Sequence, residues 1–261
     1  MYIMNLVIAT QPPELLKMLA HELRWQILSA LSFGDLRVGE LIQHLEQPAN
    51  LVSYHLKLLR QSGLVTSRRS SADGRDMYYS LNLGRLQTLY FGAGERLHPA
   101  MHVDLSCLKP AKLSVEWPVR MLFLCTQNSA RSQMAEGLMR HFAGEAVEVY
   151  SAGSQPSSVH PLAIRAMAER TIDISSNRSK HVDEFSGQTF DYVITVCDRA
   201  REVCPVFPDQ PREIHWSLPD PAGMGDTERE RYHAFKQTAD QLATRIQFLL
   251  SLVGEQKGVQ L

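Results

Sequence analysis

The chain has no long apolar run. No stretch of its 261 residues approaches the roughly 18 apolar residues of a membrane-spanning helix, so no membrane partner is expected. Cysteine is scarce. Cys107, Cys125, Cys197 and Cys204 are too few for a disulfide scaffold at this length, and in the cytoplasmic setting expected here they read as free, catalytic or metal-binding. Net charge is nearly absent at -1, so no whole-molecule field selects a partner. MYIMNLVIATQPPE carries neither a basic leader nor a small-residue cleavage pattern, and is not expected to act as a secretory signal. Internal repeats and low-complexity tracts are also missing, which excludes solenoids and compositionally disordered chains. What remains is an ordinary globular composition, 44% apolar and 21% charged, long enough for two compact domains.

Two patterns meet near residues 98–118. Upstream, helical periodicity runs to about residue 62 and a short strand pair follows. Downstream, RMLFLC (120–125) and FDYVITVC (190–197) read as buried strands separated by helical stretches. That alternation predicts a three-layer α/β domain with a central parallel sheet. HPAMHVDLSCLKPAKLSVEWP holds three prolines and no sustained period, as a linker does. The expected division is 1–98, linker 99–118, and 119–261.

In the first part, Leu16, Leu19, Leu23, Ile27 and Leu31 recur at threes and fours, predicting one amphipathic helix over 14–31. GELIQHL (39–45) is a second, short helix. Pro48 and Asn50 open a third, which Gly63 stops. Two strand-like runs then flank SSADGR, where Asp73-Gly74 supplies a tight turn. LGRLQTLYFGAGERL is a last helix, placed to pack on the core or to form a dimer face. Short helix, sharp turn, longer helix and β wing make a mainly α winged helix-turn-helix, the geometry of a DNA reader. Residues 48–80 hold five basic side chains against two acidic ones, whereas residues 1–110 hold 11 against 9, so the bias sits where phosphates would lie. Asn50, Ser53, Tyr54 and His55 are candidates for base edges or phosphates, and Lys57, Arg68, Arg69 and Arg75 for phosphates. On composition alone, the same residues also describe a solvated surface.

LAHELRWQILSAL, VGELIQHL, VSYHLKLLRQSGLV and the Gly-Arg wing resemble the ArsR family of metalloid- and metal-responsive repressors over about residues 14–97. The resemblance implies a homodimer, formed through this domain, that binds a palindromic operator and releases it to an inducer. Arsenic-sensing members place a cysteine pair near the first helix of the reading motif, where this chain has VGELIQHLEQ and no thiol. Cys107, with His98 and His102, is the nearest donor set, and no metal site is assigned to it.

In the second part, FLCTQNSARSQMAE (123–136) runs from a buried strand into a helix. Such a loop gathers backbone N–H groups around one point, an anion nest formed here by Thr126, Gln127, Asn128, Ser129, Ala130, Arg131 and Ser132. Arg131 adds a planar fork for an oxyanion, and the same field is expected to lower the pKa of Cys125 and make it a nucleophile. By spacing alone, C-x5-R is equally a structural cysteine beside a surface arginine. A second motif, HWSLPDPAGMG (215–225), places Asp220 on a loop as a candidate acid. Cys197 and Cys204 are seven residues apart, close to two helical turns, which predicts both thiols on one helix face. Hydrolysis needs neither thiol; a reductase needs electrons, which thiols supply in pairs.

CTQNSARS, SAGS (151–154), TIDISSNRSK (171–180) and HWSLPDPAG together resemble the low-molecular-weight tyrosine phosphatase fold, and more closely the arsenate reductases built on it, over about residues 119–252. One departure is Gln127, where glycine is common in the family. The resemblance implies that Cys125 attacks arsenate held by Arg131 and that Asp220 protonates the departing oxygen. It further implies that Cys197 and then Cys204 relay the oxidising equivalent to a disulfide that thioredoxin reduces, with no metal or organic cofactor. Two other readings stay open at this point: a phosphatase tethered to a DNA-binding module, and a repressor whose cradle senses an oxyanion without reacting.

Overall fold

The structure is a computed structural model and describes residues 11–103 and 118–256. Its compact units are discontinuous in sequence. One comprises the described parts of Met1–Ser32, Val38–Thr66 and Leu81–Leu108; the other comprises Phe33–Arg37, Ser67–Ser80 and the described part of Lys109–Leu261.

The first unit is helical. The predicted helix 14–31 is two helices, α1 (Glu14–Leu19) and α2 (Glu22–Leu31), separated at Ala20 and extended His21. Arg24 explains the break. Its guanidinium donates to the carbonyls of Met18 and Lys17, at 2.8 and 2.7 Å, and so satisfies the open end of α1. Apolar periodicity survives the break, which is why the sequence reads as continuous. α3 (Val38–Leu45) and α4 (Ala49–Gln61) pack with α2, burying Leu23, Ile27, Leu41, Val52, Leu56 and Leu59. Gly63 ends α4 at φ 74°, with the Gly63 N–H on the Arg60 carbonyl and the Leu64 N–H on the Leu59 carbonyl. This double closure needs a residue free to adopt left-handed backbone. α5 (Leu83–Leu97) starts at Asn82, whose side chain accepts the Arg85 N–H.

Strand β2 (Val65–Arg69) leads into the second unit, where β1 (Leu36–Arg37) pairs antiparallel with β3 (Met77–Leu81), in the order β1-β3-β2. The hairpin loop is longer than a two-residue turn: Ser70 N–H reaches the Asp76 carbonyl, and Ser70 Oγ caps the N–H groups of Ala72 and Asp73.

The rest of this unit is the expected α/β domain. β4 (Val119–Cys125), β5 (Val147–Gly153), β6 (Tyr192–Thr195) and β7 (Arg212–His215) form a parallel sheet in the order β5-β4-β6-β7. Six of the seven β4 residues are buried, as a strand covered on both faces must be. α6 (Arg131–Ala143) packs on β4, β5 and the long α9 (Glu228–Gln256), while α7 (Pro161–Ala168) packs on α6 and α9, and α8 (Asp198–Glu202) on β4 and β6. From β4 the chain moves first to one side, β5, and later to the other, β6. Cys125 therefore ends the strand at which the winding reverses, where open α/β sheets form their crevice. No helix among the described residues is long and apolar enough to cross a membrane.

Candidate functional site

The loop after β4 is built from outside inwards. The carbonyls of Thr126, Gln127, Asn128 and Ser129 accept, in turn, from Gln155 N–H (2.8 Å), Ser157 N–H (3.0 Å), Ser179 Oγ (2.6 Å) and His160 N–H (2.8 Å). In a trans peptide the following N–H points away from the carbonyl, so four consecutive N–H groups are turned to the opposite side. One of them, from Asn128, donates to Cys125 Sγ at 3.1 Å. The loop runs so close to Gly153 that a Cβ there would stand 2.5 Å from the Thr126 carbonyl oxygen and 2.8 Å from Asn128 N. That is the physical content of the SAGS motif. Gln127 is not left-handed and fits without strain; the left-handed residue of the loop is Asn128, at φ 47°.

Asn128 is the keystone. Its amide donates to Ser132 Oγ (2.9 Å) and Ser151 Oγ (2.8 Å), and its carbonyl oxygen accepts from Gln133 Nε2 (3.0 Å) and Lys180 N–H (2.8 Å). Ser151 in turn donates to buried Glu136, which Lys180 and Arg140 neutralise. Sequence reasoning quoted the stretches containing Gln133, Glu136, Ser151, Gly153, Ser179 and Lys180 as motifs but gave these residues no role; glutamine and glutamate on a helix carry no distinguishing signal.

Cys125 is 3% exposed, with its sulfur 2.9 Å from Ser132 Oγ. The expected lowering of its pKa is overturned. Burial, and then the neighbouring Cys197, push the thiol above its ordinary value, against the pull of Arg131 and Ser132. The loop that gathers donors also removes the sulfur from water, and desolvation wins. Arg131 opens α6, donates to the Leu218 carbonyl at 3.0 Å and lies 3.5 Å from the Asp220 carboxylate. Asp220 is half-exposed and caps the single turn Pro221–Gly223. The Cys125 loop, Arg131 and Asp220 are thus brought together.

Cys197 is buried, and its sulfur stands 3.4 Å from Thr126 Oγ1, one residue along from Cys125. It caps α8, accepting from Ala200 N–H. The prediction of two thiols on one helix face is corrected: α8 ends at Glu202, so Cys204 lies beyond it. Pro205 follows Cys204, and a residue before proline is driven out of helical backbone. Burial and Glu213 raise the Cys204 thiol to about 11. The flanking Val203 and Val206 are 60% and 95% exposed.

On α4, Asn50, Ser53, Tyr54 and Lys57 share one exposed face at helical spacing. His55 does not join them. It is 4% exposed, on the face of Val52, Leu56 and Leu59, with its ring 4.3 Å from that of His21. Burial, then His21 and Arg24, hold its pKa down, so it is a poor phosphate ligand. Arg69 is exposed, and Arg75 extends into solvent paired with Asp73. Arg68 is instead directed inward, donating to Asp198 and Ser217. Of the histidines beside the linker, His98 caps the turn Pro99–Met101 and His102 pairs with Glu95; Cys107 lies outside the described residues.

Residues 120–259 match the family model described as low molecular weight phosphotyrosine protein phosphatase, and residues 21–67 that of bacterial regulatory proteins of the arsR family. An arsenate reductase of Halalkalibacterium halodurans is 42% identical over 124 residues, covering 48% of this chain and 89% of that protein. One from Bacillus subtilis is 40% identical over 124 residues, with the same coverage. A solved arsenate reductase in the phosphate binding state shares 31% identity, covers 52% of this chain and 98% of its own, and superposes with a TM-score of 0.43.

Proposed function

Since the chain belongs to the low molecular weight phosphotyrosine protein phosphatase family, we propose that its oxyanion loop reduces arsenate to arsenite, and that its ArsR-type helix-turn-helix joins this chemistry to DNA-binding regulation. One observation carries the choice of reduction over hydrolysis. A second buried sulfur, Cys197, stands beside the nucleophile's loop, 3.4 Å from Thr126 Oγ1, with a third thiol, Cys204, beyond the far end of α8. Hydrolysis has no use for either; a two-electron reduction uses both. The residues after Asp220 and Pro221 are Ala222, Gly223 and Met224, with no ring to stack on a phenolic substrate.

Arsenate sits against the loop N–H groups and Arg131. The Cys125 thiolate attacks arsenic, forming an S–As bond, and the displaced oxygen leaves as water with a proton from Asp220. Cys197 attacks the Cys125 sulfur. The electron pair of the S–As bond passes to arsenic, arsenite departs, and a Cys125–Cys197 disulfide remains. Cys204 then attacks Cys197, returning Cys125 as thiolate and leaving a Cys197–Cys204 disulfide. A thioredoxin-type dithiol in the cytoplasm restores the pair, reaching it at the exposed edge marked by Val203 and Val206. Asn50, Ser53, Tyr54, Lys57, Arg69 and Arg75 serve a homodimer on operator DNA.

The test is arsenate-dependent NADPH consumption by the full chain with thioredoxin and thioredoxin reductase, beside the Cys125→Ser variant. Sustained consumption that the variant loses is expected. No consumption from fully reduced protein, together with steady hydrolysis of an aryl phosphate, would replace the reductase with a phosphatase.

A further inference from the structure

The relay accounts for Cys197 but not for the residue after it. Asp198 is completely buried, and its carboxylate accepts five hydrogen bonds. Oδ1 takes Ser217 Oγ (2.7 Å) and His215 Nε2 (3.2 Å). Oδ2 takes Arg68 Nη2 (2.5 Å), Ser71 N–H (2.7 Å) and Ser71 Oγ (3.0 Å), all from the hairpin arm Ser67–Ser80 of the same compact unit. Burial opposes the charge, but the bonds from His215, Ser71 and Ser217 and the charge of Arg68 outweigh it, and the carboxyl is held far below the usual carboxylate range. The arm grips α8 a second time near its other end, where the Arg201 guanidinium lies 5.4 Å from the centroid of the Tyr78 ring.

This grip opposes the relay. Cys197 caps one end of α8, accepting from Ala200 N–H, and Cys204 lies two residues past the other end, so the helix stands between the two thiols. Joining Cys197 to Cys204 therefore requires this segment to rearrange, and it is the segment that Arg68, Ser71 and Tyr78 hold from the arm, with His215 and Ser217 holding Asp198 as well. We propose that Asp198 is a positioning residue for the relay, and that through it the arm 67–80 is clasped while the thiols are reduced and released when the Cys197–Cys204 disulfide forms. The clasp keeps α8 wound and Cys197 at its cap, beside the Cys125 loop. Its release takes Arg68, a basic side chain of the wing, off its carboxylate in the oxidised state alone and leaves it only the Ser217 carbonyl and hydroxyl and the Arg69 carbonyl. The coupling is reciprocal: whatever else engages Arg68, such as a phosphate, favours the disulfide by the same factor. The inference rests on the thiol-relay reading of the site.

The experiment uses the full chain in two states: fully reduced, and carrying the Cys197–Cys204 disulfide formed by arsenate turnover without reductant and confirmed by peptide mapping. Amide exchange over residues 67–80 is measured in both, and the thiol–disulfide equilibrium of the pair is measured against a dithiothreitol redox buffer. The Ser71 amide is expected to exchange at least about tenfold faster in the disulfide form. Arg68→Gln should give the fast exchange already in the reduced state and shift the equilibrium towards the disulfide by about tenfold. Asp198→Asn should do the same, and agreement of the two variants separates loss of the clasp from damage to either partner. Exchange and equilibrium that ignore both redox state and Arg68→Gln would overturn the coupling and leave the relay standing. Failure to form a Cys197–Cys204 disulfide at all would bring down both.

Discussion

The two cysteine-bearing segments of the α/β domain are built in opposite ways. Around Cys125 every loop carbonyl is tied down, Asn128 makes four side-chain bonds, and Gly153 leaves no room for the loop to shift. Between Cys197 and Cys204 there is a five-residue helix that ends short of the second thiol, flanked by two exposed valines and anchored through the charges of Asp198 and Arg201. The difference fits the proposed tasks. A nucleophile must be held within a fraction of an ångström of its line of attack. The proposed relay must carry a sulfur from one partner to another, which a short helix held by a few side-chain bonds suits.

Cys204→Ser should break the comparison most completely. Steady arsenate turnover is lost, while one equivalent of arsenite still forms per chain, measured by single-turnover arsenic speciation; continued turnover would remove Cys204 from the relay. Gly153→Ala attacks the rigid side instead. A loop displaced by the new Cβ should lower the rate of that first turnover by about 100-fold, with the Cys197–Cys204 disulfide still forming under chemical oxidation. If the first turnover survives, the loop is less constrained than its contacts require.

A smaller, graded effect comes from pH. With Cys125 held above its ordinary pKa, only the rare thiolate reacts, so its alkylation by iodoacetamide should rise about tenfold per pH unit from about pH 7 upwards. A profile flat over that range would mean that the loop donors outweigh burial. The smallest change is expected at the exposed edge beside Cys204. Val206→Asp, at a 95% exposed position, should alter unfolding free energy by no more than about 0.5 kcal/mol. It should nonetheless raise the KM for thioredoxin if that edge is where the reductant docks.

The Cys125 segment was far more legible than the Cys197–Cys204 one. C-x5-R between a strand and a helix is a local pattern, and the loop lies where the pattern puts it. The parallel sheet and the helix order of the reading domain follow from periodicity in the same way. The break at Ala20 was hidden because Arg24 closes α1 without interrupting the apolar repeat. His55 inward and Lys57 outward follow from the helical spacing that also groups Asn50, Ser53 and Tyr54; residue type pointed to His55, and the face it lies on overruled it. The length of α8 was signalled by Pro205, but seven-residue spacing alone carries no information about where a helix stops.

By itself the sequence determined the sheet domain, the reading helices, the oxyanion loop and the set of thiols, because each depends on neighbours within a few turns of chain. Only the tertiary structure decided the protonation of Cys125, the four partners of Asn128 and the commitment of Arg68 to Asp198. Each of these is settled by burial, or by donors brought from distant parts of the chain. Desolvation and hydrogen bonding act through space, and which groups share that space is known only once the chain has folded.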